Sequence, residues 1–185
     1  MKGSVNYDGL RLTGDSTVNE IFYDCVFSNC NIEGHSLRDC EFEMCTFKDC
    51  TFTNLKQSFL KINDVKFHGC FIQGMDFSYL SFPHSFSFID CKLVYVDFVN
   101  LKLQKSCFQN NHFEECLFEN CDLSKSDFTG SKFLATEFRR SVLTDSDFSD
   151  SEGLDLNHEI NTVVNIKIPG DAGQKILKRM GINLN

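Results

Sequence analysis

At 185 residues the chain is the size of one domain, and its net charge of −8 removes the basic footprint that nucleic-acid binding needs. No apolar run reaches the length of a membrane span, and the start MKGSVNYDG carries no apolar signal core, so a cytoplasmic protein is expected. Five scattered histidines (35, 68, 84, 112 and 158) pair with no nucleophile motif, and no GxGxxG, Walker or HExxH sequence occurs; the prediction is a non-enzyme with no catalytic, cofactor-binding or metal residue.

A large apolar residue recurs at every fifth position, a period that fits neither a helix nor a flat strand and marks an internal repeat. From Leu12 these central positions run through Phe22, Phe27, Ile32, Leu37, Phe42, Phe47 and Phe52 to Phe82, and after a one-residue shift from Phe88 to Phe148. That makes 28 repeats, fifteen in the first register and thirteen in the second, with only Thr17 and Gln57 polar at the centre. Seventeen of the 20 Phe occupy central sites, too many for scattered core aromatics. Two residues earlier stands a small or apolar residue: Cys25, Cys30, Cys40, Cys45, Cys50, Cys70, Cys91, Cys116 and Cys121, then Ser126, Ser131, Thr136, Ser141 and Ser146. Both side chains of each pair are expected inside a narrow tube. Asp, Asn or Gly just before the next repeat suits the corner between sides.

In chain order, residues 1–20 read as an N-terminal cap with the first repeats. Leu12 is a plausible centre and Thr17 a poor one, with Val18 the alternative if the register slips. Residues 21–82 form the first repeat block. Around Gln57 the pattern wavers, and Phe59 and Leu60 stand where a distorted side would protrude; an imperfect but tolerated repeat is the other reading. Residues 83–87 carry the shift, and Pro83, unable to donate a ladder hydrogen bond, predicts a kink there. Residues 88–150 form the second block. At Asp150 the repeat is expected to stop. In 151–185, TVVNIKI suggests a short strand with Val164, Ile166 and Ile168 on one side. GDAGQKILKRMG suggests a helix started by Asp171 and Gln174 and ended at Gly181. Ile166, Ile168, Ile176, Leu177 and Met180 are the candidate residues for a cap over the tube end, for a homodimer interface, or for both.

Ten cysteines in a short chain raise the question of a disulfide scaffold. Nine of them lie at the inward repeat position, where they act as small hydrophobes. Free thiols are therefore expected. A straight ladder of thiols does not converge tetrahedrally, which argues against zinc.

The repeat, in runs such as CDLSK, SDFTG, TEFRR and SDFSD, resembles the pentapeptide-repeat family over about residues 10–150. The resemblance implies an all-β solenoid: a right-handed quadrilateral β-helix of about seven coils, four repeats to a coil, with a short strand and helix as C-terminal cap. At about 4.8 Å per coil the tube is roughly 34 Å long. The runs RDCEFEMCTFKDC, VDFVNLKLQKSCF, KSDFTGSKFLATEFRRS and, outside the repeat, EGLDLNHEIN through IKIPGDAGQKILKRMG are most similar to the family's bacteriocin-immunity members, and more distantly to its quinolone-resistance members. These members imply a C-terminally joined homodimer that binds DNA gyrase as an imitation of duplex DNA. The function implied is protection of gyrase from poisons, among them the peptide toxin microcin B17 and some quinolones.

Charge supplies the independent half of that reading. Residues 88–155 hold 13 Asp and Glu against 7 Lys and Arg, and the last 30 residues hold 2 against 4. Asp97, Glu114, Glu115, Glu119, Asp122, Asp127, Asp145, Asp147 and Asp150 are the candidate gyrase-contacting residues, with Glu137 a further outward acid. Asp127 and Asp147, twenty apart, should stack on one face, where like charges destabilise. A solvated acidic surface with no partner is the plainer account. A non-catalytic repeat scaffold for another protein partner is the alternative function.

Overall fold

The computed structural model describes residues 2–183 and is a parallel β-solenoid of about seven turns. Each repeat contributes a three-residue strand whose middle side chain points inward, and each strand pairs in parallel with the strand one coil on. Phe27, Phe47 and Phe67 are successive partners on one face. Another face carries seven stacked strands, from Arg11–Thr13 to Lys132–Leu134. The corners take a left-handed residue, as at Asp24 (φ 51°), Asn29 (53°) and Asp49 (52°), where Asn and Asp are tolerated best among residues with a Cβ. In the second block, two of the four faces close instead with four-residue turns, such as the Ser126 N–H to Leu123 carbonyl bond (3.0 Å) with Lys125 at φ 63°.

Stacking at a fixed rise brings identical rings together. Phe108, Phe128 and Phe148 lie parallel with centroids 4.8 and 4.7 Å apart, while Phe128 meets Phe118 of the opposite face edge-on at 5.8 Å. Both arrangements are favourable for aromatic quadrupoles. The inward position two residues earlier explains the exchange of Cys for Ser. The Cys121 thiol donates to the Phe98 carbonyl (3.2 Å) and the Ser126 hydroxyl to the Leu103 carbonyl (2.7 Å). A small side chain with one donor fits, and sulfur or oxygen serves. All ten cysteines are free thiols, nine of them buried.

The coil begins earlier than expected. Lys2–Gly3 and Asn6–Asp8 already pair with the second coil, and Tyr7 stacks on Phe27 at 4.7 Å. Thr17 keeps the register, opposite Leu37, and binds the buried His35 through its ring Nε2 (2.9 Å), so there is no slip to Val18. Gln57 also stays in a regular strand, and its amide donates to the Asp76 carbonyl. Leu60 is buried; only Phe59 protrudes.

The register shift falls where expected, since Phe67 pairs with Phe88, twenty-one residues on. Its packing was not foreseen. Phe82, a central residue by count, is 73% exposed, and Phe86 enters the core between Phe77 and Phe88. Pro83 has no N–H to continue the ladder above Asn63. Ser85 replaces it, donating its N–H to the Ile62 carbonyl (3.1 Å) and its hydroxyl to the Asn63 side chain (2.8 Å). The twelve residues from Phe77 to Phe88 thus accommodate a 3₁₀ turn, Phe77–Tyr79, and an outward Phe82.

Past Asp150 the regular strands end but the winding does not. Thr162 bridges Val142 and Lys167 bridges Asp147, so one irregular coil continues. Val163, not Val164, packs against the core, Val164 is exposed, and isolated bridges take the place of the expected strand. Gly153 passes directly over the Phe133 carbonyl at φ 76°, where a Cβ has no room. Helix α1, Gly170–Arg179, then closes the end. Its N-cap is Pro169, without a side-chain bond, and Asp171 lies in the first turn instead of capping. Lys175 and Arg179 donate to the Leu154 and Leu156 carbonyls (3.0 and 2.7 Å) and so satisfy two backbone acceptors near the end of the tube. Ile166, Ile168 and Ile176 pack on the core, Leu177 is half-buried and Met180 is 54% exposed.

Phe128→Ala removes a ring with no exposed area from the centre of a stack, and urea denaturation should show a loss of about 3–5 kcal/mol. An exposed change such as Leu134→Ala should stay within about 0.5 kcal/mol.

Candidate protein-binding faces

The regular perimeter leaves little concavity. An apolar cavity of about 240 Å³ lies inside the first coils, between Tyr7, Leu12, Phe22, Leu37 and Met75. It opens because the face bearing Thr17 and Leu37 lacks the rings that Phe98, Phe118 and Phe138 supply further along. No carboxylate or imidazole lines it. Among the described residues no cluster of three His, Cys, Asp or Glu is placed to hold a metal ion. Burial pushes the Cys45, Cys116 and Cys121 thiols up to about 11, which makes them inert toward nucleophilic chemistry.

The acidic candidates do not converge on one patch; they are distributed around the perimeter of the second block. Asp127 and Asp147 do stack, as successive bridge partners on one face. Their repulsion is relieved by neighbours that the sequence reading left out. Lys167, the next rung of the same ladder, donates to Asp147 (2.6 Å). Gln109 donates to Asp127 (2.7 Å), and Thr129 donates both its hydroxyl and its N–H to the same carboxylate. Asp122 binds Gln104 and Ser124 in the same way, and these bonds hold its carboxyl below the usual range against the opposing effect of burial.

Ion pairs engage several of the others. Glu114 pairs with Lys92 (3.0 Å), Glu119 with Arg140 and Glu137 with Arg139. Glu115, Asp145 and Asp150 occupy left-handed corners. Glu115 accepts from the Tyr95 hydroxyl (3.0 Å) and Asp145 from the Asn165 amide (2.6 Å). Asp97 faces Asp76 across a bridge, and burial together with that second carboxylate raises its pKa. Spacing by twenty would have found Lys167, had the repeat been continued past Asp150.

The comparisons with known proteins agree with this geometry. The model of the pentapeptide repeat region matches residues 20–98, and that of pentapeptide repeats in eight copies matches residues 121–151. The chain is 51% identical to Protein McbG of Escherichia coli over 161 residues, 87% of this chain and 86% of that protein. The chain belongs to the pentapeptide-repeat family. Solved members share its fold. A trypsin-treated variant of QnrB1, a plasmid-mediated fluoroquinolone resistance protein, superposes with a TM-score of 0.70 at 19% identity, covering 97% of this chain and all of that one. Full-length QnrB1 gives a TM-score of 0.51 at 19% identity, covering 96% of this chain and all of that one. Among the described residues no helix is long and apolar enough to cross a membrane.

Two predictions follow from the charges and thiols of this family member. The bond from Lys167 lowers the Asp147 pKa from its ordinary 3.8 to about 2. That carboxyl ionises more readily folded than unfolded, so its contribution is complete above about pH 4 and vanishes as pH falls through 2. An NMR titration should show the Asp147 pKa rising toward 3.8 in Lys167→Ala, with the acid-unfolding midpoint moving up by a few tenths of a unit. A thiol reagent should label Cys107, the one half-buried cysteine, well before the other nine, which should react on unfolding.

Proposed function

We propose that this chain is an immunity or resistance protein that protects DNA gyrase from topoisomerase poisons by binding it as a stiff acidic rod. The observation that carries the reading is the 51% identity to McbG across nearly the whole of both chains. The fold shared with a fluoroquinolone resistance protein supports a resistance role of the same kind. The physical support is the shape of the surface. Carboxylates recur at a fixed rise on a narrow tube whose backbone ladder holds them in place, so they meet a basic groove without reorganising. Eight rungs on the longest face, counting the bridge of Lys132 to Glu152, span roughly 34 Å at about 4.8 Å each. An end-to-end pair of such rods matches about twenty base pairs at roughly 3.4 Å per step.

Binding is non-catalytic on this reading, with no cofactor and no direct contact to nucleic acid. Glu115, Asp145 and Asp150 project from corners, and Asp122 and Asp127 keep charge on a face; these are the first contacts to test. Asp97, Glu114, Glu119 and Asp147 are contacts whose engaged partners must share or yield them. Leu177 and Met180, left over from the cap, together with Ile182 at 45% exposure, are the apolar surface for a homodimer. A cytoplasmic location follows from the partner.

The test is a supercoiling and cleavage assay with purified gyrase, DNA, microcin B17 and rising amounts of this protein. Poison-stabilised cleavage should fall at concentrations that leave supercoiling intact, and a quinolone arm measures breadth. Unchanged cleavage without detectable gyrase binding would sink the proposal. In the double variant Asp127→Asn and Asp147→Asn, the amide oxygen still accepts from the turn while the charge is gone. Protection should need about tenfold more protein, equal to about 1.4 kcal/mol.

A further inference from the structure

The surface at the register break is unlike the rest of the rod. Phe59, Tyr79 and Phe82 are 70%, 66% and 73% exposed, on a molecule whose other rings lie mainly in its core. Phe59 and Tyr79 stand one rung apart on the same corner, as the bridge of Leu60 to Leu80 requires. Phe82 lies three residues further on. Phe59 is also in the left-handed region, at φ 54°, where the two rungs below carry Asn19 and Asp39. Asn and Asp adopt that conformation at small cost, and a Phe does not. The residue is therefore unfavourable twice over for the isolated chain, in backbone conformation and in apolar exposure. At 70% exposure the ring adds little to the core.

The surroundings define what the ring can receive. An open cleft of about 410 Å³ runs from Phe59 to Ile21 across Asp39, Glu41 and Lys61. Both of its carboxylates are only loosely paired, Glu41 with Lys61 at 3.7 Å and Asp39 with Arg38 at 4.0 Å. A bare aromatic face beside acceptor-only carboxylates fits a guanidinium, which stacks flat on a ring while its N–H groups reach the oxygens. Phe82 already shows this chemistry within the chain, with the Lys102 ammonium 5.8 Å from its ring centroid.

We propose that this corner is an anchor for an arginine-bearing segment of the protein partner, with Phe59 as the stacking platform and Asp39 and Glu41 as the charge acceptors. It rests on the gyrase reading for the partner's identity, though not for the chemistry of the site. It places a second contact on the first block, away from the acidic second block. The rod is then held by one patch that reads a side chain and by another that supplies charge.

The experiment has two arms. In the first, N-acetylarginine amide is titrated into the full chain and followed by NMR; the Phe59 ring resonances should move before those of Tyr95, and Asp39→Asn with Glu41→Gln should abolish the shift. In the second, gyrase binding is compared for the natural chain, Phe59→Asn and Phe82→Ser. Phe59→Asn should bind about tenfold more weakly while its Tm stays equal or rises, since Asn suits the corner. A ring kept only for structure would give the opposite, a lowered Tm with unchanged binding. Normal gyrase affinity in Phe59→Asn overturns the anchor, and so does a dimer of this chain that the substitution abolishes, which would assign the patch to a second copy. Failure of the natural chain to bind gyrase, with the arginine shift intact, defeats the gyrase reading and leaves the anchor. Absence of both defeats both.

Discussion

The structure depends on the return of the chain to the same place after four sides. The ladder N–H groups meet carbonyls about twenty residues away, and the ladder so formed is parallel and in register. Phe108 stacks on Phe128 and Phe128 on Phe148 because the ladder brings each residue over its counterpart one coil away. A parallel ladder elsewhere needs helices to cover both faces. Here the sheet is rolled round its own side chains, and columns of rings from several walls fill a shared core. Cys and Ser at the second inward position complete the arrangement, donating to carbonyls that would otherwise lack a partner.

The same return governs the surface. Any residue repeated at the coil interval becomes a column, and a column of like charge requires neutralising neighbours. Asp127 and Asp147 obtain them from Gln109, Thr129 and Lys167. Such carboxylates are held rigidly, as the proposed imitation of a regular polyanion requires. Their charge is also partly committed to internal bonds, so corners such as Asp145 and Asp150 are the more available groups. The rod's uniformity makes its exceptions informative. Where Phe59 occupies a corner meant for Asn, and Phe82 turns out of the core, the departure from the rule adds little to the core.

Capping follows from the same constraint. A coil that ends exposes its ladder, and the C-terminal end is closed by helix α1, whose Lys175 and Arg179 reach two carbonyls near it. Ile166, Ile168 and Ile176 cover the final rings, while Met180 remains outside. A single segment therefore closes the tube and leaves an apolar remainder.

The period of five, the inward pairs and the break near Pro83 were legible in the residues themselves, because a repeat that stacks on itself writes its geometry into the spacing. Phe128 could be assigned to the core without coordinates for that reason. Three features were not legible. Phe82 obeyed the count yet points to solvent, since one extra residue and a proline without a donor let Phe86 take its place. Val163 and Lys167 continue the coil with a pattern too weak to read, held by bridges to Val142 and Asp147. Beyond the Asp127–Asp147 column, the walls on which the acids fall were not read, because spacing along a chain gives the rung more readily than the wall. The sequence alone determined which residues face inward, a matter of local alternation and side-chain size. Only the tertiary structure decided which outward groups meet across coils and which are left free, because those contacts join residues twenty or more apart and depend on where the register shifts.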